Sequence, residues 1–266
     1  MSNRSLRYYL PSYLRTLRAF RNGIELAHAH YTVDRVRRPE CATFWDGQKV
    51  RNVDHRPGFA DTIVELWGLL PYTCDQFYSP MNDHVVLDLG ANIGLFSVWV
   101  ARQAPTAKVV AVELSSENYE VARRNLDGWA HNVSLHHAAI GRTSGTGYLA
   151  VVGERTLDHR LAATAGGVGS ETVDVITLEG AVNMTGARMI DLVKMDIEGG
   201  EVDAFEGASP ALLRQFRRIA LEFHDHIRPG ARRRLEELLS ETHRIVSADD
   251  GDYGILRAVL RSEVSA

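Results

Sequence analysis

The first residues of this chain that suggest chemistry form a glycine turn between an apolar strand and an apolar helix. The strand runs into Asp88, and the turn that follows contains Gly90, Asn92 and Gly94. Gly90 allows a sharp turn and a close approach of the backbone to a ligand, and Gly94 allows the helix to pack close to the strand. Glu113 ends the next strand, about twenty residues after the turn. An acidic residue at this place in a βαβ unit binds a ribose diol, so the segment predicts a site for a nucleoside.

The identity of the residues in the turn narrows the choice of nucleoside. A dinucleotide fingerprint has a glycine beside the pyrophosphate, where this chain has Asn92. Asp88 would repel a pyrophosphate but suits a cationic ligand that carries an amino group. The pattern D-x-G-x-x-x-G, followed by a strand that ends in Glu, is typical of class I S-adenosylmethionine (SAM) methyltransferases. We therefore expect Glu113 to bind the ribose of SAM and Asp88 to line its methionine end; the alternative is a structural glycine turn in an unrelated α/β protein.

A second group of polar residues follows the fourth and fifth core strands. Asp196 and Glu198 end the fourth strand, and Glu222 and His224 end the fifth. Residues two apart in a strand point the same way, and adjacent parallel strands end at one edge of the sheet, so these side chains are expected to converge. Oxygen-rich clusters suit Mg²⁺ or Mn²⁺, and Asp196, Glu222 and Glu198 are the predicted ligands. Such a metal would bind vicinal hydroxyls and lower the pKa of the attacking one.

A mechanism without a metal uses the same residues in other roles. His224 would act as a general base, oriented by Asp196 or Glu222. Lys194 shares a strand face with Asp196 and would act as a base or as an ion-pair partner. In a purely structural alternative, Glu198 and His224 cap loops and pair with nearby arginines. We expect catalytic roles for Asp196, Glu222, His224 and Lys194.

The chain organisation predicts one α/β domain preceded by an extension. Residues 1–60 contain an arginine-rich amphipathic helix and a hairpin with Asp46-Gly47 at its turn, and residues 61–266 contain the alternating strands and helices. The extension is expected to be a helix packed on the domain, or else a basic cap over the active site or a contact in a homo-oligomer. The glycine-rich segment 153–170 predicts a mobile loop.

Composition excludes several classes of partner. The net charge of −4 over 266 residues suggests neither a nucleic-acid partner nor an anionic membrane. Cys41 and Cys74 are the only cysteines, so no disulfide framework or zinc site is expected and a reducing cytoplasm is predicted. The N-terminal residues lack the continuous apolar core of a signal peptide or a membrane span.

Ordered motifs along the chain resemble those of the FkbM family of SAM-dependent methyltransferases. They read VVLDLGANIGLFSVWVA, VVAVELSSENYEVARRNL, HHAAIG, VDVITLEG and VKMDIEGGEVDAFEGA. The resemblance implies the class I fold, a seven-stranded sheet in the order 3-2-1-4-5-7-6 with strand 7 antiparallel. It also implies an O-methyltransferase, often in bacterial pathways to polyketides, glycans or other secondary metabolites. The cofactor-binding set is then completed by Leu114, which replaces the usual Pro, and by Asn118, Ala138, Ala139 and Asp196.

Three functions are therefore compared. The first is SAM-dependent O-methylation of a hydroxylated small molecule, such as a sugar or a polyketide. The second, a dinucleotide-binding oxidoreductase, is disfavoured by Asn92 and by the lack of a Tyr-x-x-x-Lys pair. The third is a SAM-binding scaffold without catalysis, against which the acidic residues at the fourth and fifth strand ends argue.

Overall fold

The structure is a computed structural model of the chain. It describes residues 6–31, 39–52, 58–73, 76–151, 159–162 and 171–263. The chain divides into two compact units, Met1–Gln76 and Phe77–Ala266. The predicted boundary at 60/61 falls inside the first unit, and the assignment of a catalytic domain to residues 61–266 stays a prediction. Among the described residues, no helix has both the length and the apolar character needed to cross a membrane.

The N-terminal unit combines helices with one hairpin. Its elements are α1 (Leu6–Ala19), α2 (Gly23–Tyr31), β1 (Cys41–Thr43), β2 (Lys49–Arg51), α3 (Phe59–Ile63) and a π-helix (Val64–Leu69). The predicted hairpin is confirmed, since β1 and β2 are antiparallel and Asp46 Oδ1 accepts from the Gln48 backbone N–H at 3.0 Å. The rings of Phe20, Phe44 and Trp67 form its aromatic core, with centroids 4.7–5.8 Å apart.

The second unit alternates strands and helices over most of its length. Its first elements are β3 (Val85–Leu89), α4 (Leu95–Gln103), β4 (Lys108–Glu113), α5 (Ser116–Leu126), β5 (Val133–His137), β6 (Ala139–Ile140), β7 (Gly145–Val151), β8 (His159–Ala162) and β9 (Thr172–Ile176). They are followed by α6 (Leu178–Thr185), β10 (Leu192–Met195), α7 (Glu201–Glu206), α8 (Pro210–Leu213), β11 (Arg218–His224), α9 (Ala231–Leu239), β12 (His243–Ala248) and β13 (Tyr253–Leu260). Short 3₁₀ turns cover Asp127–Trp129 and Arg261–Glu263.

The main sheet of this unit has the predicted topology. Its seven strands are ordered β5-β4-β3-β10-β11-β13-β12. Strands β3, β4, β5, β10 and β11 are parallel, whereas β13 is antiparallel to both of its neighbours. Numbered as core strands in chain order, this is 3-2-1-4-5-7-6 with strand 7 antiparallel, so the prediction is confirmed. The carboxyl ends of the five parallel strands lie at one edge, which is where open α/β sheets bind ligands.

Apolar runs place the central strands inside this unit. Every residue of β10 is buried, and in β3 only Val85 is partly exposed. Strands covered on both faces require such continuous runs, which is why the sequence shows no alternation there. The buried polar exceptions, Asp88 and Lys194, lie at the carboxyl ends of these two strands. They are therefore placed at the ligand-binding edge.

Part of the segment 153–170, which was predicted to be a mobile loop, is instead a strand of a second sheet. Its order is β6-β9-β7-β8, and β8 pairs antiparallel with β7 inside the segment predicted to be mobile. Leu161 of β8 packs against a small apolar cluster that includes Leu149 and Val173, which explains why residues 159–162 adopt a strand. The rest of that predicted loop, 153–158 and 163–170, lies outside the described residues.

Candidate active site

The glycine turn after β3 is shaped by its neighbours in the protein. Gly90 has a φ of +80°, and a Cβ there would collide with the backbone carbonyl of Asp196, at the end of β10. Gly94 has a φ of +82°, and a Cβ there would lie 3.1 Å from the side chain of Leu126 on α5. Both glycines are therefore needed for close packing. At Gly94, however, the tight neighbour is the following helix, not the strand named in the sequence prediction.

Glu113 lies directly beside this turn. Its Oε2 accepts a hydrogen bond from the Asn92 backbone N–H at 2.7 Å, and its Oε1 accepts one from the Ser115 backbone N–H at 2.9 Å. The Asn118 side chain also hydrogen-bonds to this carboxyl group. Burial raises the pKa of Glu113, and these hydrogen bonds and the charge of Lys194 oppose the rise. The carboxylate is thus held rigidly at the edge, next to the turn predicted to hold the cofactor.

Asp88 forms a buried ion pair behind the turn. Its Oδ2 accepts from the Ser97 hydroxyl at 2.6 Å, and its Oδ1 lies 3.3 Å from Lys194 Nζ. Lys194 Nζ also donates to the Gly90 carbonyl at 2.7 Å. Burial lowers the pKa of Lys194, but the charges of Asp88 and Asp196 outweigh it and raise this pKa overall. Of the two predicted roles of Lys194, the structure supports the ion-pair partner. Contact of Asp88 with the cofactor stays a prediction.

Three further residues of the predicted cofactor-binding set, Leu114, Ala138 and Ala139, lie close to Glu113 in the chain or through hydrogen bonds. The Ala138 backbone N–H donates to the Glu113 carbonyl at 3.0 Å, and His137 Nε2 lies 3.0 Å from the Leu114 carbonyl oxygen. Leu114, Ala138 and Ala139 are all buried and apolar. These residues are therefore brought together with Glu113 at one side of the sheet edge, whereas Asp196 of the same predicted set lies at the end of β10. Their contacts with SAM stay predictions.

A cluster of carboxylates surrounds His224 on the other side of β3. His224 Nε2 lies 3.5 Å from Glu198 Oε2 and 3.9 Å from Asp196 Oδ1, and His224 Nδ1 lies 3.1 Å from Glu201 Oε1. Burial lowers the pKa of His224, but the hydrogen bond and charge of Glu201 outweigh it, with help from Asp196 and Glu198, and raise this pKa to about 9. Burial, followed by the charge of Asp196, raises the pKa of Glu222 to about 8. The predicted convergence of the two strand ends is therefore present.

Glu201 belongs to this cluster but was absent from the sequence prediction. It is the first residue of α7 and is 0% exposed. Its Oε1 accepts from the backbone N–H groups of Ile197 at 3.2 Å and Gly199 at 3.1 Å. Glu198 and Gly199 have φ values of 55° and 97°, so the chain reverses sharply between Asp196 and Glu201. The sequence signal for this residue is its place in the motif VKMDIEGGEVDAFEGA, where it follows the Gly199-Gly200 pair.

Among the described residues, one group of side chains could hold a metal ion. Ligand atoms of Asp196, Glu201 and His224 all lie within 4.8 Å of one another. This group shares Asp196 with the predicted set and has Glu201 and His224 where the prediction had Glu198 and Glu222. Nearby arginines are engaged elsewhere, since Arg217 pairs with Asp191 and Arg218 donates to the Phe77 carbonyl. Two carboxylates and an imidazole form a donor set that suits Mn²⁺.

The fold and the site together define a class of protein. A seven-stranded sheet in this order, with a glycine turn after the first core strand and an acidic residue after the second, is the class I SAM-dependent methyltransferase fold. A solved structure described as Methyltransferase FkbM from Methylobacillus flagellatus has the same fold, with a TM-score of 0.51 and 16% sequence identity, over 71% of this chain and 46% of that one.

Within that class, the family is defined by the sequence. Residues 88–248 match the family described as Methyltransferase FkbM domain, and the chain belongs to this family of methyltransferases. The predicted membership is confirmed.

Two curated proteins are similar in sequence to this chain. The chain is 30% identical over 209 residues to the AMB antimetabolite synthetase AmbE of Pseudomonas aeruginosa, and the match covers 65% of this chain and 10% of that protein. It is 26% identical over 148 residues to Methyltransferase 1 of Beauveria bassiana, with 47% of this chain and 59% of that protein covered. The chain therefore spans less than two thirds of each of these relatives.

Proposed function

We propose that the protein is a SAM-dependent O-methyltransferase that methylates a hydroxyl group of a small molecule. The observation that carries the proposal is the position of Glu113, whose carboxylate is hydrogen-bonded to the Asn92 backbone beside the glycine turn. A ribose diol donates hydrogen bonds to a carboxylate in this position. In this proposal, the acceptor would meet the methyl group of SAM at the cluster around Asp196 and His224, on the other side of β3.

The reaction requires positioning and the removal of one proton. The acceptor oxygen attacks the methyl carbon, the bond from this carbon to sulfur breaks, and its electron pair neutralises the sulfonium. The hydroxyl proton leaves to a base at the site. An enzyme accelerates this step by holding the acceptor in line with the methyl group and by accepting the proton. The carboxylates and the imidazole at the ends of β10 and β11 are the groups available for both tasks.

The proposal includes assistance by a divalent metal. Asp196 and His224 would hold Mn²⁺ or Mg²⁺ together with a further carboxylate, the predicted Glu198 or Glu222. The donor set fits such an ion, because Asp196 Oδ1 is buried and has no hydrogen-bond partner among the described residues. A bound metal would lower the pKa of the attacking hydroxyl. The alternative keeps His224 as a metal-free general base.

The class of acceptor is inferred from the relatives and from charge. AmbE is named an antimetabolite synthetase, which favours a hydroxylated secondary metabolite as the acceptor. The net charge of −4 disfavours a nucleic acid as the acceptor.

A cytoplasmic location is proposed from the low cysteine content, since only two cysteines occur in the chain.

Binding and turnover measurements separate the three candidate functions. Calorimetry should show binding of SAM and no binding of NADH or NADPH; the opposite result would favour an oxidoreductase. Labelled SAM, incubated with a panel of glycosides and polyketides, should transfer its methyl group to at least one acceptor. Tight SAM binding without transfer to any acceptor would favour a scaffold.

The metal requirement has its own test. After dialysis against EDTA, methyl transfer should fall and should return when Mn²⁺ or Mg²⁺ is added. The substitution Asp196→Asn should weaken Mn²⁺ binding, measured directly by the Mn²⁺ electron paramagnetic resonance signal. Asp203→Asn, on the exposed side of α7, is the matched control. Full activity after rigorous chelation would favour the general-base mechanism.

A further inference from the structure

The two ring nitrogens of His224 face different partners. Nδ1 faces Glu201 Oε1 at 3.1 Å, whereas Nε2 faces Glu198 Oε2 at 3.5 Å and Asp196 Oδ1 at 3.9 Å. The first distance is that of a hydrogen bond, and the other two are longer than one. The His224 side chain is 5% exposed, so the ring is confined in this orientation. A third group would therefore approach the ring from the Nε2 side.

The Glu201 carboxylate contacts this ring. Its Oε1 receives the Ile197 and Gly199 backbone N–H groups as well as His224, while Oε2 is buried without a hydrogen-bond partner among the described residues. A neutral amide oxygen would accept the two backbone N–H groups equally well. A buried carboxylate is costly unless its charge is compensated, and the cation in contact with it is the imidazole of His224.

We infer that Glu201 is the positioning residue for His224: it accepts the Nδ1–H and thereby presents Nε2 to the acceptor or its metal. This inference rests on the proposed function, and it applies to both versions of the mechanism. A histidine that binds a metal donates its other ring N–H to a carboxylate in the same way as one that acts as a base.

Glu201 itself exchanges no proton in either mechanism. In the metal-free version, the acceptor O–H bond breaks as the proton moves to Nε2, the new oxygen–carbon bond forms, and the carbon–sulfur electron pair returns to sulfur. Glu201 remains a carboxylate and stabilises the imidazolium. In the metal-assisted version, Nε2 would be a ligand, Asp196 and either Glu198 or Glu222 would supply the carboxylates, and Glu201 would fix the ring in the orientation for binding.

A structural role for Glu201 is the competing explanation. A carboxylate in the first turn of α7 interacts favourably with the helix dipole, and its contacts with residues 197 and 199 support the loop. This role requires nothing of the His224 tautomer. It also predicts that a change at Glu201 has the same effect whether or not His224 is present.

The first experiment reads the tautomer without any need for methyl transfer. In ¹⁵N-histidine-labelled, metal-free protein, titrated with base until the His224 signals stop changing, the ¹⁵N shifts of the neutral ring should show a proton on Nδ1 and none on Nε2. His224→Asn assigns the signal. A proton on Nε2, the form that unconstrained imidazoles favour, would overturn the inference even if the enzyme proves to be a methyltransferase.

The second experiment is a double-mutant cycle in kcat. Glu201→Gln should lower kcat about tenfold or more while the Kd for SAM stays unchanged, because the charge that orients His224 is lost. In a His224→Asn background the same change should alter kcat by less than about twofold. Equal losses in both backgrounds would show a structural role. Glu201→Asp keeps the charge, but its shorter side chain withdraws the carboxylate from Nδ1. This variant should therefore show the same loss of kcat, and it replaces the glutamine variant if that one folds poorly.

Glu206→Gln is the matched control for these measurements. It lies at the other end of α7 and pairs with Arg142 and Arg234 instead of with the site. It should leave kcat and the His224 tautomer unchanged. If no acceptor supports methyl transfer, the proposed function fails, and the tautomer measurement still decides the role of Glu201.

Discussion

At the scale of single residues, Glu113 shows how one carboxylate is prepared for a ligand. Two backbone N–H groups and the Asn118 side chain fix its orientation, and only 4% of its surface is exposed. Each carboxylate oxygen can accept more than one hydrogen bond, so the ribose diol can bind without displacing these partners. If the proposed role holds, this residue links the fold of the turn to recognition of the cofactor.

Substitution of Glu113 should weaken SAM binding. Glu113→Ala should raise the Kd for SAM roughly tenfold to a hundredfold or more, because charged hydrogen bonds contribute about 1.5–3 kcal/mol each. Glu113→Gln keeps the shape and should have a smaller effect. The measurement is calorimetry, with circular dichroism to confirm folding and Glu120→Gln, on the exposed face of α5, as the control. An unchanged Kd in a folded alanine variant would contradict the assignment.

At the scale of elements, the turn after β3 and the loop after β10 are built as one unit. The strands are paired in register from Leu192 with Val86 to Met195 with Leu89. The pairing brings the Asp196 carbonyl to the space where Gly90 would carry a side chain. Lys194 joins the same two segments through Asp88 and the Gly90 carbonyl. The turn after β3 and the segment that carries Asp196 are thus held together by direct contacts.

Gly90→Ala should destabilise the protein more than a glycine substitution elsewhere. Both Gly90 and Gly186 have positive φ, but a Cβ at Gly186 meets nothing within 4 Å. Gly186→Ala should therefore cost only the backbone strain, about 1–2 kcal/mol. Gly90→Ala adds the collision with Asp196 and should cost about 2–5 kcal/mol. Urea unfolding measures both; equal costs would show that the collision is relieved.

The start of β12 contains a buried histidine that links stability to pH. His243 Nε2 lies 2.9 Å from the Phe216 carbonyl oxygen, and Nδ1 lies 2.8 Å from the Thr242 hydroxyl. Burial lowers the pKa of His243, the charge of Arg261 lowers it further, and the hydrogen bond to Phe216 opposes this. The folded protein therefore favours the neutral ring.

This shift predicts how acid affects stability. Because the folded pKa lies below the ordinary value of about 6.5, the unfolded chain binds more protons, and the free energy of unfolding should fall as pH drops below about 6.5. The contribution of the neutral His243 ring to the free energy of unfolding is fully present above that pH. His243→Gln should reduce this slope between about pH 6.5 and pH 5, measured by urea unfolding at several pH values. The same slope in His243→Gln as in His131→Gln, an exposed control, would contradict the prediction.

At the scale of the whole molecule, the two compact units differ in which predicted site residues they contain. All residues predicted to bind SAM or to act on the acceptor lie in the unit 77–266. The first unit has its own core, in which the rings of Phe20 and Trp67 are 5.3 Å apart at their centroids. Its role as a cap over the acceptor or as a contact in a homo-oligomer stays a proposal.

Removal of the first unit tests that proposal. The cut belongs after Gln76, because a cut within the unit would expose the Phe44 and Trp67 side chains. We expect the truncated protein to fold and to bind SAM with a Kd near that of the full chain, but to lose methyl transfer. Calorimetry and labelled-SAM turnover are the measurements. Retained turnover would contradict the cap, and loss of SAM binding would show a structural or oligomeric role.

Much of the cofactor side followed from the sequence because its signals are local. The glycine turn, Glu113 and the apolar strands around them lie within one βαβ unit, whose geometry is fixed by short connections. The motif order then implied the sheet order, which the structure confirms. The convergence of Asp196 with His224 was also predictable, since adjacent parallel strands end at one edge.

Tertiary structure alone decided the details of the acidic cluster. Glu201 reaches His224 because the positive φ values at Glu198 and Gly199 reverse the chain, and no sequence period encodes that reversal. The need for glycine at position 90 comes from a carbonyl more than a hundred residues later in the chain. Strand β8 forms because Leu161 finds apolar partners on β7 and β9. Local patterns therefore fixed which residues reach the sheet edge, whereas contacts between distant segments determined which of them touch.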